Sequence, residues 1–292
     1  MKPEPYKHSI INAALWMMGT LVSFMGMAVG GRELSMELDT FQILFFRSLI
    51  GLFILVLVLS NKGWYLIKTR HFSLHVLRNI SHFGGQFGWF YGIAYIPLAE
   101  VFAIEFTLPV WTAILATLIL KEHMTPPRFF AVVFGIVGML IILRPGMGVV
   151  NPVSLIVLAS AICYGLSHTL TRRIAGFDHP ITILFYMTLI QLPIGFFLSF
   201  NSWVSVSFSM WPWLITVGVT ALTGHYCMAR ALTIADATVV VPLDFLRLPL
   251  IAVIGYLFYN EVLDQFVLIG AFIMLFGNFL NISAEHRKAK SS

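Results

Sequence analysis

Long apolar runs separated by short polar connections follow one another along this chain. A membrane-spanning helix needs about 20 mostly apolar residues. Ten stretches meet that length, and we predict helices at 9–30, 40–60, 78–96, 99–120, 128–144, 152–172, 180–200, 211–229, 237–258 and 265–284. The connections carry turn-forming residues, such as Asn61-Lys62-Gly63, and leave no room for a separate soluble domain.

The composition agrees with a lipid environment. Hydrophobic residues make up 59% of the chain and charged residues 11%, whereas soluble proteins are about 45–50% apolar and about 25% charged. These values exclude intrinsic disorder. The basic residues form no stripe, which argues against a nucleic-acid partner. The apolar run from Ile10 to Gly30 contains no small-residue cleavage site, so we predict a retained first span rather than a signal peptide.

The two cysteines, Cys163 and Cys227, lie apart within apolar runs and have no CxxC partner. We predict that both are small buried hydrophobic residues rather than parts of a disulfide or a thiolate metal site. No metal site and no cofactor are predicted.

Lysine and arginine residues predict the orientation, because cytoplasmic connections are enriched in them. If the N-terminus is cytoplasmic, only Arg32 and Arg144 fall in connections on the opposite side. The other lysines and arginines outside the spans then lie on the cytoplasmic side. An even number of spans places both termini there.

The two halves of the chain resemble each other. The segment ILFFRSLIGL at 43–52 aligns with ILFYMTLIQL at 183–192 without a gap. Further along, Leu108-Pro109 aligns with Leu248-Pro249, and Lys121-Glu122 with Asn260-Glu261. Between these, Gly88, Phe90, Ala99 and Glu100 align with Gly224, Tyr226, Ala235 and Asp236. Four matches in the same order indicate an internal repeat, which we divide into 1–146 and 147–292.

Each repeat contains five predicted spans, so the second repeat enters the membrane from the opposite face. The predicted fold is an all-α integral membrane protein of ten transmembrane helices, arranged as two inverted five-helix repeats. Inverted repeats are frequent in secondary transporters, whose binding site lies near the membrane midplane between the halves.

Several of these residues resemble a known family. They are the FFR segment of the second span, the LP and closing KE of the fourth, and the LRLP and closing NE of the ninth. Together they resemble the drug/metabolite transporter superfamily, and within it the EamA family of bacterial inner-membrane proteins. The resemblance implies a carrier of small metabolites that works by alternating access, in a family associated with amino acids, nucleotide-like metabolites, riboflavin, S-adenosylmethionine and drugs.

Four charged residues stand well inside predicted spans: Arg47, Glu105, Asp244 and Arg247. Each costs about 2.5–3.5 kcal/mol to insert and therefore needs a reason. Their depths predict an Arg47–Glu105 pair in the outer half of the membrane and an Asp244–Arg247 pair in the inner half. In the repeat alignment Glu105 faces Phe245, beside Asp244. We interpret the four as lining a central cavity that holds a polar or zwitterionic substrate; the other interpretation is ion pairs that fix helix register.

Other residues carry weaker signals. His82, Gln86 and His225 are candidates for substrate binding, and the two histidines also for carrying a proton; interhelical hydrogen bonds are the other interpretation. Tyr91 and Trp111 are the preferred candidates for an aromatic wall, although such aromatic residues also serve as packing or interface anchors.

Glycines and prolines are candidates for gating. Gly88 and Gly224, which align in the repeat, let helices approach closely. Pro109 and Pro249 each remove a backbone hydrogen bond within a span. We expect them to act as hinges or to free carbonyls for the substrate; static kinks are the other interpretation.

The favoured substrate is an amino-acid-like zwitterion. Nucleoside-, flavin- or S-adenosylmethionine-like metabolites, or drugs exported by the same fold, are the alternatives. A channel is less favoured, and so is an intramembrane enzyme, since HExxH, GxSxG and paired acidic motifs are absent from the sequence. The expected partners are the substrate, membrane lipids and a coupled proton, and the protein is expected to be a monomer or a homodimer.

Overall fold

The computed structural model describes residues 5–145, 151–235, 240 and 243–291, with side chains between residues 11 and 284. The predicted repeat boundary at 146 and 147 and part of the predicted span 237–258 lie outside these residues. In the first half of the chain the helices are α1 Pro5–Leu34, α2 Thr40–Lys62, α3 Phe72–Tyr95, α4 Leu98–Glu105, α5 Leu108–Leu120 and α6 Pro126–Leu143. In the second half they are α7 Pro152–Ile174, α8 Pro180–Ser199, α9 Trp211–Ile234, α10 Arg247–Tyr259 and α11 Gln265–Ser291.

Polar residues at the connections set where several helices begin. Asp39 precedes α2 and accepts a hydrogen bond from the backbone N–H of Phe41 at 3.1 Å. Asn151 precedes α7 and accepts one from Val153 at 2.9 Å. Such caps satisfy backbone donors that have no partner within the helix. The apolar runs between these caps therefore form helices with defined starts.

Seven helices among the described residues are long and apolar enough to cross a membrane, which makes the chain a multi-pass membrane protein. They include α4 and α5 taken together as Leu98–Leu120. Helices α3 and α9 have 24 residues each and are long enough, but their sequences are more polar. The described part of α10 has 13 residues. The predicted number of ten spans therefore goes beyond what length and composition establish.

Two predicted spans are broken rather than continuous. The predicted span 99–120 consists of α4 and α5, with Phe106 and Thr107 between them. In the second half Asp244 is helical, the next two residues form a turn, and α10 begins at Arg247. Pro109 lies in the first turn of α5, where a missing backbone N–H costs nothing. The breaks therefore precede the prolines, whereas the sequence pattern placed each proline within a continuous span.

The helices pack in pairs that connect the two halves. Helix α1 packs on α9, and α3 packs on α7. Helix α2 packs on α8, α4 on α10, and α6 on α11. Exchanging the two halves converts the pair of α1 and α9 into that of α3 and α7, and leaves the pairs α2–α8 and α6–α11 unchanged. This is expected for two similar units that contact each other through equivalent surfaces.

Glycines allow the closest of these contacts. A Cβ on Gly138 of α6 would lie 2.4 Å from the backbone oxygen of Gly270 of α11, and a Cβ on Gly270 would lie 2.5 Å from that of Gly138. Gly88 of α3 and Gly224 of α9 are also at helix contacts, against α7 and α1 respectively. Between apolar helices in lipid, close approach of this kind supplies the packing contacts that hold a bundle together.

Candidate functional site

A cavity of about 350 Å³ lies inside the bundle, where the two helix breaks meet. Phe106 follows α4 and Phe245 precedes α10; both line the cavity, and their rings touch edge to face with centroids 5.9 Å apart. Side chains from α1, α2, α3, α7 and α9 complete the wall. Broken helices in corresponding positions of two repeats are the arrangement in which transporters place their binding sites.

The breaks place two acids at equivalent positions. Glu105 is the last residue of α4, and Asp244 is the residue before Phe245. Both α5 and α10 end on a residue in the left-handed conformation, Lys121 with φ 56° and Asn260 with φ 51°. The caps therefore fix the register of the repeat and match Glu105 with Asp244, not with Phe245 as the sequence alignment had it.

One arginine holds both acids. The Arg247 guanidinium donates to Asp244 Oδ2 at 2.7 Å and to Glu105 Oε1 at 3.4 Å. The indole N–H of Trp89 donates to Glu105 Oε2 at 2.8 Å. The predicted pairing of Glu105 with Arg47 is therefore wrong. Arg247 lies one helical turn beyond Asp244, and its long side chain reaches the level of Glu105.

Aromatic rings surround the Arg247 guanidinium. Its central carbon lies 5.1 Å from the ring centroid of Phe24, 5.4 Å from that of Phe106 and 6.0 Å from that of Phe102. The electron-rich faces of such rings attract cations, most strongly where water is excluded. Arg247 is thereby held in place by its surroundings as well as by its two acids.

Arg47 is different. It is 4% exposed and lines the same cavity, but its Nε has no hydrogen-bond partner. No acid among the described residues forms an ion pair with it. A buried charge without a partner is costly. With both acids ionised, Arg247, Glu105 and Asp244 together carry one net negative charge, so the cavity has a separate positive centre and a separate negative one.

The predicted histidines and the glutamine also line the cavity. His82 Nδ1 lies 2.8 Å from Gln86 Nε2. The ring of His225 packs edge to face against Phe24, with centroids 5.4 Å apart. His168 of α7 lines the cavity as well; its position near the end of a predicted span gave no strong signal in the sequence.

The preferred aromatic candidates lie elsewhere. Tyr91 stacks near Tyr95, with ring centroids 4.6 Å apart, and Trp111 donates to Thr107 Oγ1 at 3.0 Å. Neither lines the cavity, whereas Trp89 and Tyr164 do. A helix turns by about 100° per residue, so an error of two positions moves a side chain to another face.

Of the four proposed hinge residues, one lines the cavity. Pro109 lines the cavity, while Pro249, Gly88 and Gly224 do not. The two glycines lie where helices cross. Within the described residues no group of histidine, cysteine, aspartate or glutamate is arranged to hold a metal ion. Cys163 and Cys227 are unpaired and half-buried, less buried than predicted.

A helical membrane protein whose broken helices meet at a polar cavity has the architecture of a secondary transporter. The chain belongs to the EamA-like transporter family, whose sequence model matches residues 11–144 and again 151–283. It is accordingly a membrane transport protein and not an enzyme.

Several curated proteins are similar to it over most of their length. A riboflavin transporter of Brucella anthropi is 31% identical over 224 residues, which are 74% of this chain and 78% of that protein. An S-adenosylmethionine uptake transporter of Rickettsia prowazekii is 25% identical over 281 residues, 96% of each chain. The pseudopaline exporter CntI of Pseudomonas aeruginosa is 24% identical over 246 residues, 84% of this chain and 86% of that one.

A solved crystal structure shares the fold. It superimposes with a TM-score of 0.65 over 96% of this chain and 99% of the other, at 14% sequence identity. At that identity the likeness concerns the fold alone.

Proposed function

We propose that this protein is a secondary transporter that moves a small metabolite with an amino-acid-like zwitterionic group across the bacterial inner membrane by alternating access. The separation of charge in the cavity carries the proposal. Arg47 is a buried cation that forms no ion pair with any described residue, and it matches a substrate carboxylate. The cluster of Arg247, Glu105 and Asp244 has excess negative charge and an unbonded Asp244 Oδ1, which match an ammonium group.

The helix arrangement supports ten spans in two inverted repeats. The pairs α1 with α9 and α3 with α7 exchange when the halves are exchanged, and both halves carry a broken helix. We divide the repeats at 146 and 147. Two similar halves in opposite orientation allow conformations of comparable energy that open to opposite sides, which is the physical basis of alternating access.

The glutamates of the two closing motifs form equivalent contacts at the two ends. Glu261 accepts from Arg32 at 2.7 Å and from the backbone N–H of Leu98, the first residue of α4, at 2.8 Å. Glu122 forms ion pairs with Arg172 at 3.0 Å and with Arg128 at 3.1 Å. We assign these contacts as latches, one for each end of the transport pathway.

The two latches are closed to different degrees. The side chains of Arg32 and Glu261 are 16% and 12% exposed, whereas those of Arg172 and Glu122 are 62% and 21% exposed. The distribution of lysine and arginine supports a cytoplasmic location for the Glu122 end and for both termini. The conformation is then more tightly closed on the outer side.

The curated relatives support two substrate classes. S-Adenosylmethionine contains the zwitterion that the charge separation favours. Riboflavin is a flat aromatic molecule, and Trp89, Tyr164 and Phe106 in the cavity wall favour it as the second candidate. Glu105 and Asp244 are the groups that would carry a coupled proton, which stays a prediction.

Uptake into proteoliposomes tests the zwitterion directly. The probes are radiolabelled S-adenosylmethionine and L-methionine, each compared with its decarboxylated analogue, and riboflavin. We expect Arg47→Met to raise KM for the carboxylate-bearing probes by about tenfold to a hundredfold, since a charge-assisted hydrogen bond contributes about 1.5–3 kcal/mol. Arg47→Lys, which keeps the charge, should lose less.

The decarboxylated analogues and a second arginine provide the controls. Arg47→Met should weaken binding of the analogues no further, because they lack the group that Arg47 binds. Arg144→Met removes an arginine that pairs with Asp264 at a helix end, outside the cavity lining, and should leave KM unchanged. Equal losses for probe and analogue would contradict the assignment of Arg47, and selective uptake of riboflavin would favour the second candidate.

A further inference from the structure

A buried glutamine on α8 contacts His82, which lines the cavity. Gln191 is 0% exposed and does not line the cavity. Its Nε2 lies 3.1 Å from Nδ1 of His82 and 3.2 Å from the backbone oxygen of Asn79 on α3. Gly51 occupies the matching position of the other repeat, so this contact exists in one half only.

The backbone oxygen of Asn79 fixes the orientation of the Gln191 amide. A carbonyl oxygen only accepts hydrogen bonds, so the amide must turn its NH2 group toward it. The same NH2 group then meets His82 Nδ1, which must accept with its lone pair. In a neutral imidazole only one nitrogen carries the proton, and here that nitrogen is Nε2. Nδ1 has a single lone pair, so the Gln86 amide, whose nitrogen lies 2.8 Å away, does not define the tautomer.

The rest of the ring is held by packing. His82 is 3% exposed, and its ring meets that of Tyr164 edge to face with centroids 5.4 Å apart. Tyr164 packs over Gly85, where a Cβ would lie 2.7 Å from the tyrosine ring. His82 lines the cavity, and no described residue accepts a hydrogen bond from its Nε2.

We propose that Gln191 is a positioning residue that holds His82 in its Nε2–H tautomer, so that the cavity presents a fixed neutral N–H donor to the substrate carboxylate alongside the Arg47 cation. This inference rests on the proposed function. A carboxylate has two oxygens, and a cation with a neutral donor can satisfy both. The substrate class is thereby narrowed to metabolites whose carboxylate is free on both oxygens.

The same arrangement argues against His82 as a proton carrier. Its Nδ1 faces the NH2 group of Gln191, so protonation there would place hydrogen against hydrogen. The charged or titratable groups that act on the ring are Arg78 of α3, Arg47 of α2, His168 of α7 and His225 of α9, together with Tyr164. The arginines are cationic, so no acid in this group favours a charged ring.

Nitrogen NMR of the full-length protein in lipid nanodiscs tests the tautomer without any transport assay. The protein is labelled with ¹⁵N-histidine, and the His82 signals are assigned as those absent from His82→Gln. We expect an unprotonated Nδ1 and a protonated Nε2 that do not change between about pH 6 and pH 8, a range in which an ordinary histidine titrates. Gln191→Glu should reverse the tautomer, because a carboxylate accepts from Nδ1–H. A protonated Nδ1 in the wild type would overturn the proposal.

Uptake of the same zwitterionic probes tests whether the His82 Nε2–H group donates to the substrate carboxylate. A glutamine at position 82 can place an amide N–H near the Nε2 position, whereas asparagine places it near Nδ1. We expect His82→Gln to retain a KM close to the wild type and His82→Asn to raise it about tenfold, as does Gln191→Glu. In the His82→Gln background, Gln191→Met should have no further effect on KM, because the donor no longer depends on a tautomer.

Gln42 provides the matched control. It is also 0% exposed, and both its amide atoms bond the backbone of Val204, outside the cavity lining. Gln42→Met should lower thermal stability without changing KM. If His82→Gln and His82→Asn both kept the wild-type KM, the proposed hydrogen bond from His82 Nε2–H to the substrate would be refuted, even if NMR confirmed the tautomer. If the wild type transported none of the zwitterionic probes, the proposed function would fail while the NMR result stood.

Discussion

Asp178 joins two connections at one end of the bundle. It lies between α7 and α8, and its Oδ2 accepts from Thr69 Oγ1 at 2.6 Å and from His75 Nε2 at 2.8 Å. Burial of the carboxylate acts to raise its pKa, but the hydrogen bonds from Thr69 and His75 and the nearby rings of His75 and His71 outweigh burial. The pKa of Asp178 is therefore lowered from its ordinary value of 3.8.

A lowered pKa makes stability depend on pH in a defined direction. The ionised Asp178 stabilises the fold fully above its unfolded-state pKa, and this contribution is lost as the pH falls through the folded-state value. We expect the unfolding temperature in detergent to fall between about pH 5 and pH 3, and Asp178→Asn to reduce that dependence. At neutral pH the variant should unfold about 2–4 °C lower.

Glu37 is a suitable control for this measurement, since it is an exposed acid in a connection. Glu37→Gln should leave both the unfolding temperature and its pH dependence unchanged. If the unfolding temperature of Asp178→Asn fell as much at acid pH as that of the wild type, the Asp178 carboxylate would not be the group responsible.

Single residues could be recognised from the sequence, but only one of the two predicted ion pairs, Asp244 with Arg247, is present in the structure. The cost of burying charge singled out Arg47, Glu105, Asp244 and Arg247, and all four line the cavity. The predicted pairing of Arg47 with Glu105 failed because it was judged from depth alone. Contact between Arg247 and Glu105 depends on how the two halves pack, and Gln191 gained its importance from that packing too.

The breaks in two helices are the elements that create the site. Each break ends a helix at an acid, Glu105 or Asp244, and leaves the following phenylalanine facing the cavity. Pro109, in the first turn of α5, keeps this break open because it has no N–H with which to continue the backbone bonds of α4. Alanine at this position would restore the N–H that a continuous helix needs.

We expect Pro109→Ala to slow uptake more than it lowers stability. Alanine permits a continuous helix from α4 into α5, which removes the break around which the site is built. A change of about 1 kcal/mol in the activation barrier lowers the maximal uptake rate about fivefold. The unfolding temperature should change by less than about 3 °C. Both quantities are measured on the same purified protein.

Pro126 supplies the comparison, because it also lies in the first turn of a helix, α6, but outside the cavity lining. Pro126→Ala should leave the uptake rate unaltered. A rate for Pro109→Ala equal to that of the wild type would mean that the break does not control transport.

The sequence predicted the positions of the helices better than their continuity. Hydropathy located the apolar runs, and the prolines marked where two of them are interrupted. The break itself falls ahead of each proline, since proline fits the start of the new helix. The polarity of α3 and α9 is explained by the site, because both contribute polar side chains to the cavity.

At the scale of the molecule, the proposed inverted repeat places two equivalent glutamates, Glu122 and Glu261, at opposite ends of the bundle. The Glu261 latch connects the ends of α1, α4 and α10. The Glu122 latch connects the ends of α5 and α7 through Arg172. In an alternating-access cycle one latch must open while the other stays closed. Weakening one latch therefore increases the population of the conformation that is open at that end.

We expect Glu261→Gln and Glu122→Gln to have opposite effects on access. A reporter cysteine replaces Met228, which lines the cavity, in a background with Cys163 and Cys227 changed to alanine. Glu261→Gln should increase its labelling by an impermeant thiol reagent from outside right-side-out vesicles. Glu122→Gln should increase labelling in inside-out vesicles.

Asp264→Asn is the control, because it removes an ion pair with Arg144 near the Glu261 latch. It should not change labelling from either side. Equal increases on both sides for each glutamate variant would indicate general loosening of the bundle and would contradict the assignment of latches.

The internal repeat was recognisable from the sequence, since the same motifs recur in the same order. Its register at the site was not, because apolar helices tolerate a shift of one residue in an alignment. The left-handed caps at Lys121 and Asn260 resolve that shift, and with it the equivalence of Glu105 and Asp244.

The lone cation at Arg47 has a consequence for the direction of flow. A carrier that returns without substrate must pass through its closed intermediate with the Arg47 charge unpaired. An unpaired buried charge raises the energy barrier of this return step. A cargo that supplies a carboxylate removes the obstacle in both directions. In the proposed transport cycle, we therefore expect exchange of substrate across the membrane to be faster than net uptake into vesicles that contain no substrate.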